Sequence, residues 1–335
     1  MKTVSLLLML IISNLIHAQQ AGTPVSFVQS GHYLPGIAGV RDYANPGQDG
    51  LFLIDYNVFL NADTYYDRDG NKVNSIQGPL GNTIPLNIDI SGYINSLMLI
   101  YATPKLPFLG NAQYLFIASP NYTTANVRVG LGELINNQPI EGGASGFGDL
   151  VVSPLLLSWG FEKFDITGGY IFYAPTGRYD TGASDNIGLG HWSHIVQLAS
   201  YYYPKADKST TLLLMPSYEF QGKIKDADVK PGSRFTLEYG ISQYLSERFE
   251  VTLQGGHSWQ VGEDSGGDVY WDKSVKDRMS VFGFGAGYWL VPETLYANVK
   301  YTSSYGLRQQ FKSNLFQLEL LFVPNFLKSK PALEE

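Results

Sequence analysis

Several short constellations in this chain have residue types that could do chemistry. His191-Trp192-Ser193-His194 offers two imidazoles. A zinc site needs three or four convergent ligands, and positions three apart on a strand point to opposite faces, so these rings diverge. His257-Ser258 sets a base beside a hydroxyl. Neighbours on a strand also diverge, and no third member of a triad is placed. Asp67-Arg68-Asp69-Gly70-Asn71 has part of a calcium loop, but Tyr65 and Ile76 stand at the first and twelfth ligand positions, so a surface turn is expected. Gly283-Phe284-Gly285-Ala286-Gly287 lies inside an alternating strand, not at the strand-to-helix turn a nucleotide fingerprint needs. Glu263, Asp264 and Asp268 read as a solvated acidic loop rather than a divalent-ion site. No catalytic residue, metal or cofactor is assigned.

The charges inside the alternating segments are more informative. Arg128, Asp149, Asp165, Glu219, Arg234, Glu238, Glu250, Lys300 and Glu319 fall on the phase opposite the apolar residues. If these segments are strands of a closed sheet, that phase is an interior, and the charges line a lumen, either as an open path or as cross-braces. On a lipid-facing surface a charge costs up to ~2–4 kcal/mol at the midplane.

The segments that must position them are legible from period-2 patterning. Phe235, Leu237, Tyr239 and Ile241 alternate with Arg234, Thr236, Glu238, Gly240 and Ser242. Leu295, Ala297, Val299 and Tyr301 alternate with Tyr296, Asn298, Lys300 and Thr302. Phe316, Leu318, Leu320 and Phe322 share a face opposite Gln317 and Glu319. Twelve strands are read near 51–62, 91–103, 111–131, 147–158, 164–174, 191–203, 209–221, 233–245, 249–260, 279–290, 295–303 and 314–322. The gaps between them run long, short, long, short, the loop asymmetry of a transmembrane barrel. The apolar phase flips near Pro120, which predicts a bulge there. Trp159, Phe161, Tyr203, Tyr244, Phe249 and Trp289 beside the short turns, and Tyr173, Trp192, Phe220, Trp259 and Tyr305 near the long loops, are expected to form two interfacial girdles.

Composition agrees. The 335 residues carry 16% charged and 14% aromatic residues, 36 Gly and no Cys, with a formal net charge of −7. No apolar run after residue 18 is long enough for a membrane helix. The acidic balance argues against nucleic acid as a partner. Lys2, the apolar run to Ile12 and the small Ala18 predict a secretory leader over 1–18. An exported chain without cysteine fits a bacterial envelope.

Other stretches carry a family resemblance. They are Gly31-His32-Tyr33-Leu34-Pro35-Gly36, Gly39-Val40-Arg41-Asp42 and Pro46-Gly47, then Gly146-Phe147-Gly148-Asp149-Leu150 with Ser153-Pro154 and Trp159. Pro175-Thr176-Gly177-Arg178-Tyr179-Asp180, Asn186-Ile187-Gly188-Leu189-Gly190 and Asp264-Ser265-Gly266 follow. In order and spacing the chain resembles the outer-membrane family named for the meta-pathway of phenol degradation. The resemblance implies an outer-membrane β-barrel, often called a transporter, with aromatic or other hydrophobic cargo.

The expected organisation is therefore all-β: a single antiparallel up-and-down transmembrane barrel of about twelve strands (10–14). Its parts are a cleaved leader over 1–18, a periplasmic N-terminal segment over 19–49, the barrel over 50–322 and a periplasmic tail over 323–335. The Gly- and Pro-rich stretch 30–49 is expected to enter the lumen as a plug, with His32, Tyr33, Arg41, Asp42 and Tyr43 reaching the interior charges. The expected function is passive uptake of a small-molecule solute, with selection by lumen width and lining charge. Outer-membrane lipid, lipopolysaccharide and the barrel-assembly machinery are the expected partners. A closed structural or adhesive barrel, and less so a lipid-modifying enzyme, stand as alternatives.

Overall fold

Alternation with a period of two makes each strand two-faced, and a sheet with one greasy and one polar face must close or stack to satisfy both. This one closes. In the computed structural model the described residues are 26, 31–77, 82–132, 139–181, 183 and 185–324. The expected leader lies outside them, as does the expected tail from 325 onward.

The strands, in chain order, are β1 (Gly50–Tyr66), β2 (Lys72–Val73), β3 (Ser75–Gln77), β4 (Thr83–Pro85), β5 (Asn87–Ala102), β6 (Gln113–Ser119), β7 (Asn121–Gly130), β8 (Ile140–Phe147) and β9 (Leu150–Gly160). They continue as β10 (Phe164–Ala174), β11 (Ser193–Tyr202), β12 (Thr210–Gln221), β13 (Arg234–Tyr244), β14 (Phe249–Gln260), β15 (Arg278–Val291), β16 (Leu295–Arg308) and β17 (Gln310–Phe322). From β9 to β17 each strand pairs antiparallel with the next. β1 pairs with β17 on one side and β5 on the other, which closes the cylinder. β6 and β7 are consecutive halves of one stave, and β8 and β9 of the next, giving a barrel of twelve staves.

The outward face is apolar where the wall would meet lipid: Leu253, Phe282, Phe284 and Phe316 are each about half exposed. The inward face is polar and covered. Asp165, Glu219, Arg234, Glu238, Glu250, Lys300 and Glu319 are all buried. Phe161, Phe249 and Tyr288 face outward near the short turns, and Trp192, Phe220 and Tyr305 do so near the long loops. Tyr203, Tyr244, Trp289 and Tyr173 depart from the expected girdles: Tyr244 and Trp289 point inward, and Trp289 Nε1 donates to Tyr244 Oη at 3.1 Å. Tyr203 points inward and donates to Asp165 at 2.5 Å, and Tyr173 stacks on His32.

The structure corrects the expected bulge at Pro120. The register of β5 runs unbroken from Leu99↔Ala118 to Ser96↔Asn121, and Leu97 N donates to Pro120 O at 3.2 Å. The side-chain phase does not change there; the environment does. Below Pro120, Phe116 faces outward as an apolar residue. Above it, Val129 and Leu131 are buried inside, against Tyr65, Ile88 and the β3–β4 hairpin residues Ile76 and Ile84. A wall that has risen beyond the bilayer turns its polar face to water. For that reason Arg128 is not a lumen residue: it pairs with Glu141 at 2.8 Å on the exposed outer face. The bulge falls on the neighbouring stave instead, between Leu115/Ile117 in the β6–β9 register, opposite Pro154.

Two further expectations fail for related reasons. Residues 304–313 are not a long loop, because β16 and β17 extend past the bilayer and turn at Gln309, whose φ is 53°. Asp264 is not solvated. It accepts from Gly232 N at 2.8 Å, Trp271 Nε1 at 2.8 Å and Gln260 Nε2 at 3.0 Å, and so ties the outer loops together.

Candidate functional site

The lumen is occupied by the chain's own N-terminal segment. Ser26 O accepts from Gln309 Nε2 at 3.0 Å, at the outer end of the barrel. Asn45 N donates to Asp165 Oδ2 at 3.2 Å, beside the short turn that opens β10. Residues 31–49 therefore run down the interior from the outer side towards the periplasmic rim and enter β1 at Gly50.

Interior charges are the segment's anchors. His32 N donates to Glu219 Oε1 at 2.9 Å, and its ring reaches Ser193 Oγ at 2.7 Å and Asp149 Oδ2 at 2.8 Å. That ring stacks on Tyr173 with centroids 4.7 Å apart and meets His191 edge-on at 5.1 Å. Tyr33 Oη donates to Glu238, and Gly36 N donates to the same carboxylate at 2.5 Å. Lys300 Nζ donates to Ile37 O at 2.8 Å and Ala38 O at 3.0 Å. Arg41 Nε bonds Glu250 Oε1 at 2.8 Å, and its guanidinium lies 4.8 Å over the Tyr244 ring. Tyr56 Oη donates to Asp42 at 2.6 Å, and Tyr43 N donates to Tyr201 Oη at 3.1 Å.

Two glycines shape these contacts. A Cβ on Gly31 would lie 2.0 Å from Glu219 Oε2, where the segment presses on its anchor. Gly36 has φ +86°, the left-handed region, which turns the chain towards Glu238.

Arg234 is different. Its guanidinium pairs with Asp277 at 2.8 and 2.5 Å, both buried, and braces the wall. Glu319 is buried beside Asp42 and Lys300. Of the interior positions read from the sequence, Asp149, Glu219, Glu238, Glu250 and Lys300 hold residues 32–41 and Asp165 holds Asn45.

Asp149 joins separate parts of the chain. Besides His32 it accepts from Gly177 N at 2.9 Å and Leu189 N at 2.8 Å, so one buried carboxylate ties the plug, the β8–β9 break and the 175–192 connection. Ser193, His32 and Asp149 have the side chains of a hydrolase triad, but Ser193 has no exposed surface. The trio acts as a fastening. Period-2 reading could place Asp149 inward but could not find Ser193, Gly177 or Leu189 as its neighbours, because that proximity is purely tertiary. His191 and His194 diverge as expected: His191 is buried, while His194 stacks between Trp192 and Phe220 on the outer face.

Among the described residues, two cavities lie beside the segment. One of about 410 Å³ lies on the outer side, lined by Leu34, Ile94, Met98, Val151, Tyr173, Leu189 and Ile195. The second, about 510 Å³, lies towards the periplasmic side, lined by Gly39–Gln48, Phe52, Ile54 and Leu115. Tyr43 and Ile117 line both. The outer cavity reaches the weak place in the wall. The β9–β10 ladder stops at Leu150↔Ala174, and among the described residues β8 pairs only with β7. Among the described residues, no backbone ladder joins β8 to the 175–192 connection. Of the described residues, Ile187 lies close to Gly146, Leu189 lines the cavity, and Thr176 Oγ1 donates to Gly148 O at 3.2 Å just below.

The profile of the family described as "MetA-pathway of phenol degradation" matches residues 62–320, most of the chain. The chain belongs to this family. Among solved structures, it is similar to the COG4313 outer membrane channel from Pseudomonas putida F1, at 15% identity and TM-score 0.64, covering 88% of this chain and 100% of that one. Weaker likenesses include the NanC porin, at 9% identity, TM-score 0.45, 81% of this chain and 100% of that one. The KdgM porin is another, at 8% identity, TM-score 0.42, 82% of this chain and 99% of that one. The first of these shows the fold, an outer-membrane-type barrel. No curated protein sequence matches this chain.

Proposed function

We propose that this protein is an outer-membrane channel for small apolar, including aromatic, compounds, and that they pass through the side of the wall rather than along the full axis. The observation that carries this reading is the occupied lumen next to an unpaired sheet edge. The N-terminal segment fills the axis, bonded along its length. What remains open is a chain of two cavities, the outer one mainly aliphatic and aromatic and bordering the wall where β8 lacks a partner. Apolar solutes partition into such a cavity because it removes their surface from water, whereas hydrated sugars would be stripped of hydrogen bonds there. No catalytic step is assigned.

The test separates solute classes. Proteoliposomes holding the protein should not swell in isotonic sugars. Cells carrying it should take up a fluorescent arene faster than cells without it. Ile187→Trp, which fills the gap beside β8, should slow arene entry and leave the heat-modifiable barrel band intact. Sugar flux without faster arene entry would overturn the proposal in favour of an axial hydrophilic pore. Neither flux would favour a closed barrel.

A further inference from the structure

The lipid-facing wall has one patch that breaks its own rule. On β1 the inward residues Ile54, Tyr56 and Val58 are buried, so Asp55 and Asn57 face outward. The outward neighbours on either side are Leu53 and Phe59 along the strand, Leu320 and Leu318 across on β17, and Leu97 across on β5. Asn95 of β5 lies directly across from Asn57, and Tyr93 directly across from Phe59. A carboxylate and two amides thus sit in the middle of the apolar band, two outward positions above Leu51 and one below Phe59.

The polar groups there are organised. Asn57 Nδ2 donates to Asp55 Oδ2 at 2.8 Å and Asn95 Nδ2 to Asp55 Oδ1 at 2.7 Å. Tyr93 Oη donates to Asn57 Oδ1 at 2.6 Å. None of these bonds reaches the lumen, so the patch has no share in holding the plug. A charged group exposed to hydrocarbon is destabilising, and such residues are rare unless another polar surface covers them.

We infer that this patch is an intramembrane docking surface for a second copy of this chain. The donor and acceptor pattern favours that occupant. Among the described residues, Asn95 Oδ1 accepts no hydrogen bond, and Asn57 Nδ2 makes one of the two it can donate. Each copy then presents one open acceptor and one open donor on the same small surface. A twofold axis brings the donor of one copy to the acceptor of the other, the self-complementarity an isologous interface requires. Amide side chains associate membrane segments in this manner, because in hydrocarbon they have few other partners. Phe59, Phe316 and Leu97, all exposed, supply an apolar rim.

The chain contains no cysteine, so single cysteines report proximity cleanly. Leu53→Cys, Asn61→Cys and Leu97→Cys, each made alone, are treated in isolated outer membranes with a short bismaleimide. Leu214→Cys, outward on β12 at the far side of the barrel, is the control. A crosslinked dimer is expected from the patch cysteines and none from Leu214→Cys. Adding Asp55→Leu with Asn57→Leu should abolish the dimer band while the barrel stays folded by heat-modifiable mobility. Asn95→Val is a milder second variant and should weaken the band. Absence of a dimer from every patch cysteine would overturn the inference, as would a band unchanged in the leucine double variant. Crosslinks to a different protein or to lipid alone would overturn it equally.

Discussion

Asp149→Asn tests whether one carboxylate fastens the plug, the β8–β9 break and the 175–192 connection together. The substitution keeps shape and volume and changes only hydrogen-bonding capacity. Asp149 Oδ2 takes His32 Nε2 and Leu189 N, and Oδ1 takes Gly177 N. Asparagine keeps one acceptor oxygen. Placed towards His32 and Leu189, it turns its own NH₂ against the Gly177 amide and orphans a buried donor, at about 1–3 kcal/mol. The two retained bonds lose their charge assistance, about 1 kcal/mol each by the difference between charged and neutral hydrogen bonds. The sum is about 3–5 kcal/mol against the fastened state. At 1.4 kcal/mol per decade, local opening rises by about a hundredfold or more. Native-state hydrogen exchange in detergent micelles or nanodiscs reads this directly, since the Gly177 and Leu189 amides owe their protection to this carboxylate. Both should exchange about a hundredfold faster, together with amides of the plug near His32. Amides in the middle of β13 and the heat-modifiable band should not change. Exchange at Gly177 and Leu189 indistinguishable from the parent would refute the reasoning, because other contacts would then be holding the loop.

Deleting 31–48 removes the lumen segment, so single-channel conductance in planar bilayers should rise sharply; unchanged conductance would mean that the segment does not limit the path. Tyr43→Ala removes a side chain that lines both cavities, so arene uptake should increase with the barrel intact, as measured by fluorescence entry into cells. On the outer loops, hydrogen bonds from Ser274 and then Arg68 hold the Asp272 carboxyl down at about 2. A depressed carboxylate stabilises its contacts above its ordinary range and loses that contribution as pH falls through the depressed value. The Arg68–Asp272 contact should therefore persist at pH 4 and dissolve towards pH 2, followed by carboxyl chemical shifts; loss already above pH 4 would contradict it.

Much of the barrel was legible in the sequence because lipid and lumen impose opposite chemistries on alternate residues. That imprint is local: Phe316, Leu318, Leu320 and Phe322 against Gln317 and Glu319 fix the inward phase of β17 without knowledge of any partner. The same logic assigned Asp165, Glu219, Glu238, Glu250 and Lys300 to the interior. It misplaced Arg128 because the rule inverts once a strand leaves the bilayer, and nothing within β7 marks the height of the membrane. It also read a bulge at Pro120 where only the surroundings change. What tertiary structure alone decided is which interior groups meet. His32, Asp149 and Ser193 are brought together by barrel closure and by a segment threaded through it, and their separations along the chain carry no periodic signal. The polar patch at Asp55, Asn57 and Asn95 belongs to the same class. Each residue is unremarkable in its own segment, and only the pairing of β1 with β5 sets them side by side on a face otherwise turned to lipid.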